Sequence, residues 1–337
     1  MPLSTALPRV AIIGCGGTIA SLGTSSLDLM DYPEHGSKLD VAQILERVPE
    51  IASFAEAIPV PFRSVGSNNL TMADWFELRA TLRRLSREQP ELAGFVILHG
   101  TATLEETAFF LNLTLDIEQT VVLTGSQRPL SAVGSDAPAN LLGAIRVAGD
   151  ADARGRGVLV VFNDGIYPAR DVIKVSTLRL DTFRSMDHGV LGTVDPDRIR
   201  YRRRPEGRHA PGAAFAALPD DAQPPRVDVA YSYVGADDIM IAAVLAKGAQ
   251  GIVSAGLAPG LVTKAERIAL EAAIASGIAV VQCTRSPLGS VAQRRYLRDA
   301  GFIAGEDFSP QKARILLALG LTLTHDLDTL REHFATH

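Results

Sequence analysis

The sequence has few cysteines and no histidine pattern that would bind a metal. Only two of its 337 residues are cysteines, Cys15 and Cys283, which is too few for a disulfide framework or a cysteine-rich zinc site. Its seven histidines form neither an HExxH nor an HxH pair. We therefore expect a chain that uses no metal and no other cofactor.

Concentrated charge and long apolar runs are also missing. The 33 basic and 38 acidic side chains give a net charge of -5 without a basic stripe, which argues against nucleic acid as the main partner. No run of about 18 uncharged apolar residues occurs, so we expect no contact with a membrane. The segment Met1–Arg9 lacks the basic region and apolar core of an export signal, so the expected location is the reduced cytoplasm.

Short apolar runs, many of them β-branched, alternate with helical patterns along the first two thirds of the chain. The predicted strands are Val10–Ile13, Phe95–Leu98, Thr120–Thr124 and Val158–Phe162. This alternation is typical of an α/β fold in which helices cover both faces of a parallel-type sheet. In such folds ligands bind at the carboxyl ends of the strands.

A segment rich in proline, glycine and charge interrupts this pattern at residues 204–226. We interpret it as a linker between an amino-terminal α/β catalytic domain, residues 1–203, and a smaller carboxy-terminal α/β domain, residues 227–337. The second domain has predicted strands at 227–231, 251–254 and 278–282, with helices between them.

Two threonines stand where predicted strands end. Thr18 follows the first strand through a glycine-rich turn, and Thr101 follows the strand that ends at Leu98. The turn is a weak match to a dinucleotide-binding fingerprint, because Ile19 stands where the third glycine belongs. The segment from Thr103 to Glu106 has the spacing of a capping box, which predicts a structural role for both residues and leaves Thr101 facing a ligand.

Five ordered blocks resemble the bacterial-type L-asparaginase/glutaminase family, and the similarity extends over essentially the whole chain. They are Gly-Gly-Thr-Ile-Ala at 16–20, His-Gly-Thr-x-Thr-x-Glu-Glu-Thr-Ala at 99–108, Thr-Gly-Ser-Gln-Arg-Pro at 124–129, Asp-Ala-Pro-Ala-Asn-Leu at 136–141 and Ala-Arg-Asp-Val-Ile-Lys at 169–174. The resemblance implies metal-free hydrolysis of a small-molecule amide. It also implies a homotetramer, built as a dimer of dimers, or a homodimer, with sites near subunit interfaces.

The resemblance also implies roles for individual residues. Thr18 matches the usual nucleophile, and Tyr32 matches a mobile tyrosine near it. Thr101 matches the family's second threonine, and Lys174 matches the lysine that completes a proton relay. Which of the two threonines attacks the amide stays open.

Further matches concern substrate binding. Ser67 matches the serine that holds the substrate carboxylate, and Asn68 stands where the family often has glutamine. The backbone at Gly100 and Thr101 can supply N–H donors to the oxyanion of a tetrahedral intermediate.

The chain departs from the family pattern at the residues that would bind an α-ammonium group. Ala102 replaces an aspartate that ordinarily faces both the lysine and the ammonium, and Tyr296 aligns with a second acid contributed by a neighbouring subunit. Burying an ammonium without a carboxylate partner costs several kcal/mol. We therefore expect a substrate without a free α-amino group, such as a simple carboxamide acid, an imide, a lactam or an N-substituted amide. We also expect Lys174 to lack an acidic neighbour and to have a lowered pKa.

Two other interpretations stay open. The protein could be a true L-asparaginase of low activity, or a catalytically silent homologue that binds an amide metabolite. A dehydrogenase is the weakest alternative, because the dinucleotide fingerprint is incomplete.

Overall fold

The structure is a computed structural model that describes residues 6–337. Residues 1–5, part of the segment in which no export signal is expected, lie outside the described residues. The chain divides into two compact units, Met1–Asp221 and Ala222–His337. The linker proposed at 204–226 stays a prediction.

The strands of the first unit are β1 (Arg9–Gly14), β2 (Ser21–Leu22), β3 (Ser37–Lys38), β4 (Glu56–Pro61), β5 (Gly94–Leu98), β6 (Thr120–Thr124), β7 (Leu159–Phe162), β8 (Gly165–Pro168), β9 (Ile173–Lys174), β10 (Phe183–Arg184), β11 (Gly192–Val194) and β12 (Ile199–Tyr201). Eight of them form one sheet in the order β12-β11-β8-β7-β6-β5-β1-β4, and the others form two short pairs, β2 with β3 and β9 with β10.

Four of the seven strand pairings in this sheet are parallel, as the alternation of strands and helices predicts. Strand β1 pairs in parallel with β4 and β5, β5 with β6, and β6 with β7. Every residue of β5 is buried, which accounts for its continuous apolar run.

The other three pairings are antiparallel, so the sheet is mixed rather than purely parallel. Strands β7 and β8 form a hairpin whose two loop residues, Asn163 and Asp164, have φ values of 48° and 60°. Two adjacent left-handed residues suit a tight hairpin, and asparagine and aspartate tolerate that conformation better than most residues. The later strands β11 and β12 continue the antiparallel pairing.

Five helices accompany the sheet within the described part of the first unit: α1 (Tyr32–His35), α2 (Val41–Glu46), α3 (Met72–Glu88), α4 (Leu104–Thr114) and α5 (Ala137–Gly149). Helix α4 has ten buried residues out of eleven. This accounts for its largely apolar sequence, because a helix buried on all sides needs no polar face.

The strand order places a crevice between β1 and β5. From β1 the chain moves to β4 on one side, and it then returns to β5 on the other side. In open α/β sheets ligands bind at such a reversal, outside the carboxyl ends of the strands. The residues after β1 and β5 include Thr18 and Thr101.

The elements of the second unit are β13 (Val227–Tyr231), α6 (Ile239–Ala246), β14 (Gly251–Gly256), α7 (Lys264–Ala275), β15 (Ala279–Thr284), α8 (Arg295–Asp299), β16 (Ile303–Ala304), α9 (Pro310–Leu323) and α10 (Leu327–Thr336). The four strands form a parallel sheet in the order β13-β14-β15-β16, with helices between them. The predicted two-domain α/β fold class is confirmed. None of the helices in residues 6–337 combines the length and apolar character that a membrane span needs.

Arg79 ties helix α3 to the last residues of the first unit. Its side chain is completely buried. The guanidinium donates hydrogen bonds to the carbonyl oxygens of Ala216, at 2.9 Å, and Leu218, and it lies 3.6 Å from the Asp220 carboxylate. Removing a buried charged donor leaves its acceptors unpaired, which costs more than a surface ion pair contributes.

We expect Arg79→Met to lower the free energy of unfolding by about 3 kcal/mol, because it leaves buried carbonyls without donors. Urea denaturation followed by circular dichroism measures this change. Arg84→Met is the matched control, since Arg84 pairs with Glu88 at 2.8 Å on the exposed side of the same helix. The control should cost no more than about 0.5 kcal/mol. Equal losses in the two variants would contradict the assignment.

Candidate active site

The first corner of the site is the turn after β1, where Thr18 begins a short 3-10 segment, Thr18–Ala20. Gly16 and Gly17 precede it with φ values of 84° and 87°, a conformation that favours glycine. A Cβ atom on Gly17 would lie only 2.4 Å from the Cα atom of Gly100. The backbones that carry the two threonines are therefore in direct contact.

The second corner is the loop after β5, where Thr101 is 94% buried, with a relative exposure of 6%. The Lys174 amine donates a hydrogen bond to Thr101 Oγ1 at 2.6 Å. The Gln127 amide oxygen lies 3.1 Å from Thr101 Oγ1 and 3.2 Å from Lys174 Nζ, and it accepts from both. An amine, a hydroxyl and an amide oxygen thus form one contiguous cluster.

Lys174 reaches this cluster from β9, which pairs with β10. Burial lowers the pKa of Lys174 below its ordinary value, and the nearby Glu105 carboxylate acts in the opposite direction. The same carboxylate accepts a hydrogen bond from the backbone N–H of Lys174. The expectation that Lys174 lacks an acidic neighbour is therefore wrong. Glu105 reaches it from the first turn of α4.

Tyr32 lies beside the first corner, at the start of α1. Its hydroxyl oxygen is 2.8 Å from Thr18 Oγ1, within hydrogen-bond distance. Both side chains are half-buried. The structure thus places Tyr32 next to Thr18, the threonine beside which the family resemblance predicts it.

Ser67 forms a third corner in the 3-10 segment Ser67–Asn69. It is buried, and a Cβ atom on Gly100 would lie 2.7 Å from its Oγ atom. Its neighbour Asn68 is exposed. The structure therefore brings Ser67 to the backbone of the second corner, while the Asn68 side chain faces solvent.

Thr103 does not form the predicted capping box. It occupies the N-cap position of α4, but its side chain caps no backbone N–H. Its hydroxyl instead donates to the carbonyl oxygen of Ser67 at 2.9 Å. A carbonyl acceptor in the adjacent loop satisfies this hydroxyl, which links the second and third corners.

His99 fixes the second corner through hydrogen bonds of its ring. It is completely buried, and burial lowers its pKa to about 4, so the ring is neutral at physiological pH. Its Nδ1 atom lies 2.8 Å from the Gly100 carbonyl oxygen, and its Nε2 atom lies 2.9 Å from Thr107 Oγ1. Because a carbonyl only accepts, Nδ1 carries the proton. In a planar trans peptide the Thr101 N–H then points away from His99.

The positions expected to bind an ammonium have no acidic side chain. Ala102 is exposed beside Thr101. In the second unit Tyr296 is 42% exposed, and its hydroxyl donates to the Glu271 carboxylate at 2.9 Å. Among residues 6–337, no group of three or more histidine, cysteine or acidic side chains is arranged to hold a metal ion.

Sequence reasoning missed Gln127 and Glu105. A signal for Gln127 was present, because it lies just after β6, the strand next to β5, where the carboxyl ends of parallel strands meet. Glu105 offered no comparable signal, since an acid in the first turn of a helix is ordinary dipole compensation.

Comparison with known proteins agrees with this geometry. Residues 9–207 match the family model "Asparaginase, N-terminal", and residues 226–334 match "Glutaminase/Asparaginase C-terminal domain". The chain is 36% identical to L-asparaginase 2 of Escherichia coli over 98% of its length and 93% of that protein. It is 32% identical to a glutaminase-asparaginase of Pseudomonas fluorescens, with 98% and 91% of the two chains covered.

A solved structure shows the same fold. The crystal structure of a probable cytoplasmic L-asparaginase from Campylobacter jejuni superimposes with a TM-score of 0.92 at 34% identity, covering 98% of this chain and all of that one. The two family models together span both units of the chain. The chain therefore belongs to the L-asparaginase/glutaminase family of amidohydrolases, which act on non-peptide C–N bonds.

Proposed function

We propose that the protein cleaves a small carboxamide to a carboxylate and ammonia, with Thr18 as the nucleophile and with Thr101 and Lys174 as a proton relay. The observation that carries this proposal is the 2.6 Å hydrogen bond between the Lys174 amine and Thr101 Oγ1. An amine whose pKa is lowered by burial is suited to take up and return a proton.

Each step of the proposed reaction has a group to perform it. Thr18 Oγ1 attacks the amide carbon as its hydroxyl proton passes to the relay, and this hydroxyl lies against Tyr32. The N–H of Thr101, oriented by the His99 contact to Gly100, is a donor for the oxyanion. The relay gives this proton to the amide nitrogen, which departs as ammonia and leaves an ester on Thr18. Water then attacks the ester carbon and gives a proton to Thr18 Oγ1 as the acid leaves. Ser67 binds the substrate carboxylate, with Asn68 beside it.

For the substrate, we propose an amide without a free α-amino group. This class includes simple carboxamide acids, which release ammonia, and imides and lactams, whose rings open with the nitrogen kept on the product. Two observations support it: Ala102 offers no carboxylate, and the nearby Glu105 carboxylate is buried and bound to the backbone of Lys174. The alternative is L-asparaginase activity, which the names of the relatives in E. coli and C. jejuni favour.

For the assembly, we propose a homo-oligomer, with a homotetramer expected from the family. Helix α6 supports it, because Ile239 and Met240 are 65% and 50% exposed although the helix is almost entirely apolar. Tyr231, Tyr233 and Val234 of the same unit are also exposed. Apolar surface of this kind is typical of a protein interface.

For the location, we propose the cytoplasm. The names of the relatives differ on this point: the C. jejuni protein is named as a probable cytoplasmic enzyme, and a relative from Haemophilus influenzae is named as a probable periplasmic one.

Loss of the proposed groups tests the reaction. We expect Thr18→Val and Lys174→Met each to lower kcat by about 1,000-fold or more, because one removes the nucleophile and the other removes the relay's proton acceptor. Ammonia release measures this over a panel of amides. Thr322→Val and Lys247→Met are controls in the second unit and should keep full activity. Binding of an amide by the unaltered protein without any ammonia release would instead support a silent homologue.

The substrate proposal is tested by comparing asparagine with succinamate, which lacks only the amino group. We expect kcat/KM for succinamate to be at least about 10-fold higher, because the site has no partner for an ammonium. Ala102→Asp should shift this ratio toward asparagine by about 10-fold or more, whereas Ala102→Asn, of similar shape but uncharged, should not. A preference of the unaltered protein for asparagine would refute the proposal.

The assembly proposal is tested by placing charge on α6. We expect the double variant Ile239→Lys with Met240→Lys to form a smaller oligomer, since charges at an apolar interface are poorly solvated. Light scattering after size-exclusion chromatography gives the mass. Leu323→Lys, at a residue that is 55% exposed on α9, is the control. A monomeric unaltered protein, or an unchanged mass in the variant, would exclude this surface as the interface.

A further inference from the structure

Gln127 is an uncharged side chain that contacts both members of the relay. Its amide oxygen accepts hydrogen bonds from Thr101 Oγ1 and Lys174 Nζ, and the residue is 91% buried, with a relative exposure of 9%. Resting on the proposed function, we propose that Gln127 is a positioning residue that sets the geometry and protonation of the relay formed by Lys174 and Thr101.

The orientation of the amide is fixed from its other end. Gln127 Nε2 donates to the carbonyl oxygens of Thr177, at 3.4 Å, and Arg179, at 3.1 Å. A flipped amide would turn its oxygen toward these two carbonyls and its NH2 group toward the amine, which is unfavourable at both ends. The side chain therefore presents an acceptor, and not a donor, to Lys174.

The backbone of Gln127 is held as firmly as its side chain. Its N–H donates to both oxygens of the Asp136 carboxylate, at 2.9 and 3.1 Å. The same carboxylate accepts from the N–H of Arg128 and from Asn140 Nδ2, each at 3.0 Å. Asp136 is itself buried. This network fixes the loop after β6, so the amide oxygen has little freedom to move away from the relay.

The acceptor has a defined effect on proton transfer. In the structure Lys174 Nζ donates to Thr101 Oγ1, whose own hydroxyl donates to Gln127. For proton transfer the Thr101 hydroxyl turns from Gln127 toward the neutral Lys174 amine, its O–H bond breaks, and the proton binds the lone pair of the amine, which leaves an alkoxide and an ammonium. The ammonium can donate to the alkoxide and to the Gln127 oxygen at once. The neutral amine gains less from that oxygen, so Gln127 stabilises the relay after transfer relative to the relay before it.

The effect of Gln127 on the protonation of Lys174 adds to that of the other groups around the amine. Glu105, from α4, is the carboxylate that acts on the amine. Arg184, on the paired strand β10, is bound to Asp181. Thr101 and Gln127, which face the amine from the loops after β5 and β6, are both uncharged. A change of charge at residue 127 should therefore be felt directly by Lys174.

Two variants of Gln127 test the proposal. Gln127→Met removes the acceptor, and Gln127→Glu replaces it with a charged one. Both lose the bonds to Thr177 and Arg179, so the difference between them isolates the oxygen that faces Lys174. We expect the acid limb of the pH profile of kcat/KM to move to lower pH in Gln127→Met and to higher pH in Gln127→Glu, with a separation of about one pH unit or more.

A second measurement does not depend on turnover. Competitive labelling with acetic anhydride across pH, read by peptide mass spectrometry, gives the titration of the Lys174 amine itself. We expect the same opposite shifts in the two variants. Gln119→Met and Gln119→Glu are the controls, because Gln119 accepts a hydrogen bond from Ser86 elsewhere in the first unit, and they should leave the titration unchanged.

The pH profile and the labelling experiment together distinguish failure of the role of Gln127 from failure of the proposed function. Opposite shifts of the Lys174 titration without ammonia release from any amide would support the role of Gln127 and contradict the proposed function. Ammonia release together with shifts in the same direction, or with no shift, would overturn the role of Gln127 and leave the proposed function standing.

Discussion

Gly17 lies with its backbone against that of Gly100, and this contact determines how closely the loops after β1 and β5 approach each other. A Cβ atom on Gly17 would be 2.4 Å from Gly100 Cα, and one on Gly100 would be 2.7 Å from Ser67 Oγ. Three loops of the site are therefore packed through positions that carry no side chain. The parallel pairing of β1 with β5 brings the loops to one edge of the sheet, and the glycines let them touch.

The chemistry of the site depends on how Lys174 is held at this edge. Burial alone lowers the pKa of an amine and also makes the charged form costly. Glu105 offsets part of this cost with its charge, and the Gln127 oxygen offsets part of it with a hydrogen bond. An amine balanced in this way can exist in both protonation states, which a proton relay requires.

Much of the fold and part of the site could be predicted from local pattern. The continuous apolar run at β5 identified a buried strand, and the rule that ligands bind at strand ends pointed to Thr18 and Thr101. The pattern failed where a partner is distant in sequence: Thr103 bonds to Ser67, 36 residues away, and not within its own helix. Gln127 and Lys174 are 47 residues apart, and Glu105 and Lys174 are 69 apart. Only the folded chain shows such contacts.

Ala102 provides no carboxylate for a substrate ammonium, and the buried carboxylate of Glu105 does not replace it. A carboxylate that is to bind a substrate ammonium needs free lone pairs on the ligand side, whereas Glu105 is 95% buried, with a relative exposure of 5%, and accepts from the Lys174 N–H. If Glu105 were drawn toward a second cation, it would lose the contact that offsets the burial of Lys174. In this chain the carboxylate that acts on Lys174 is therefore turned away from a substrate ammonium, and at position 102 the chain has only a methyl group.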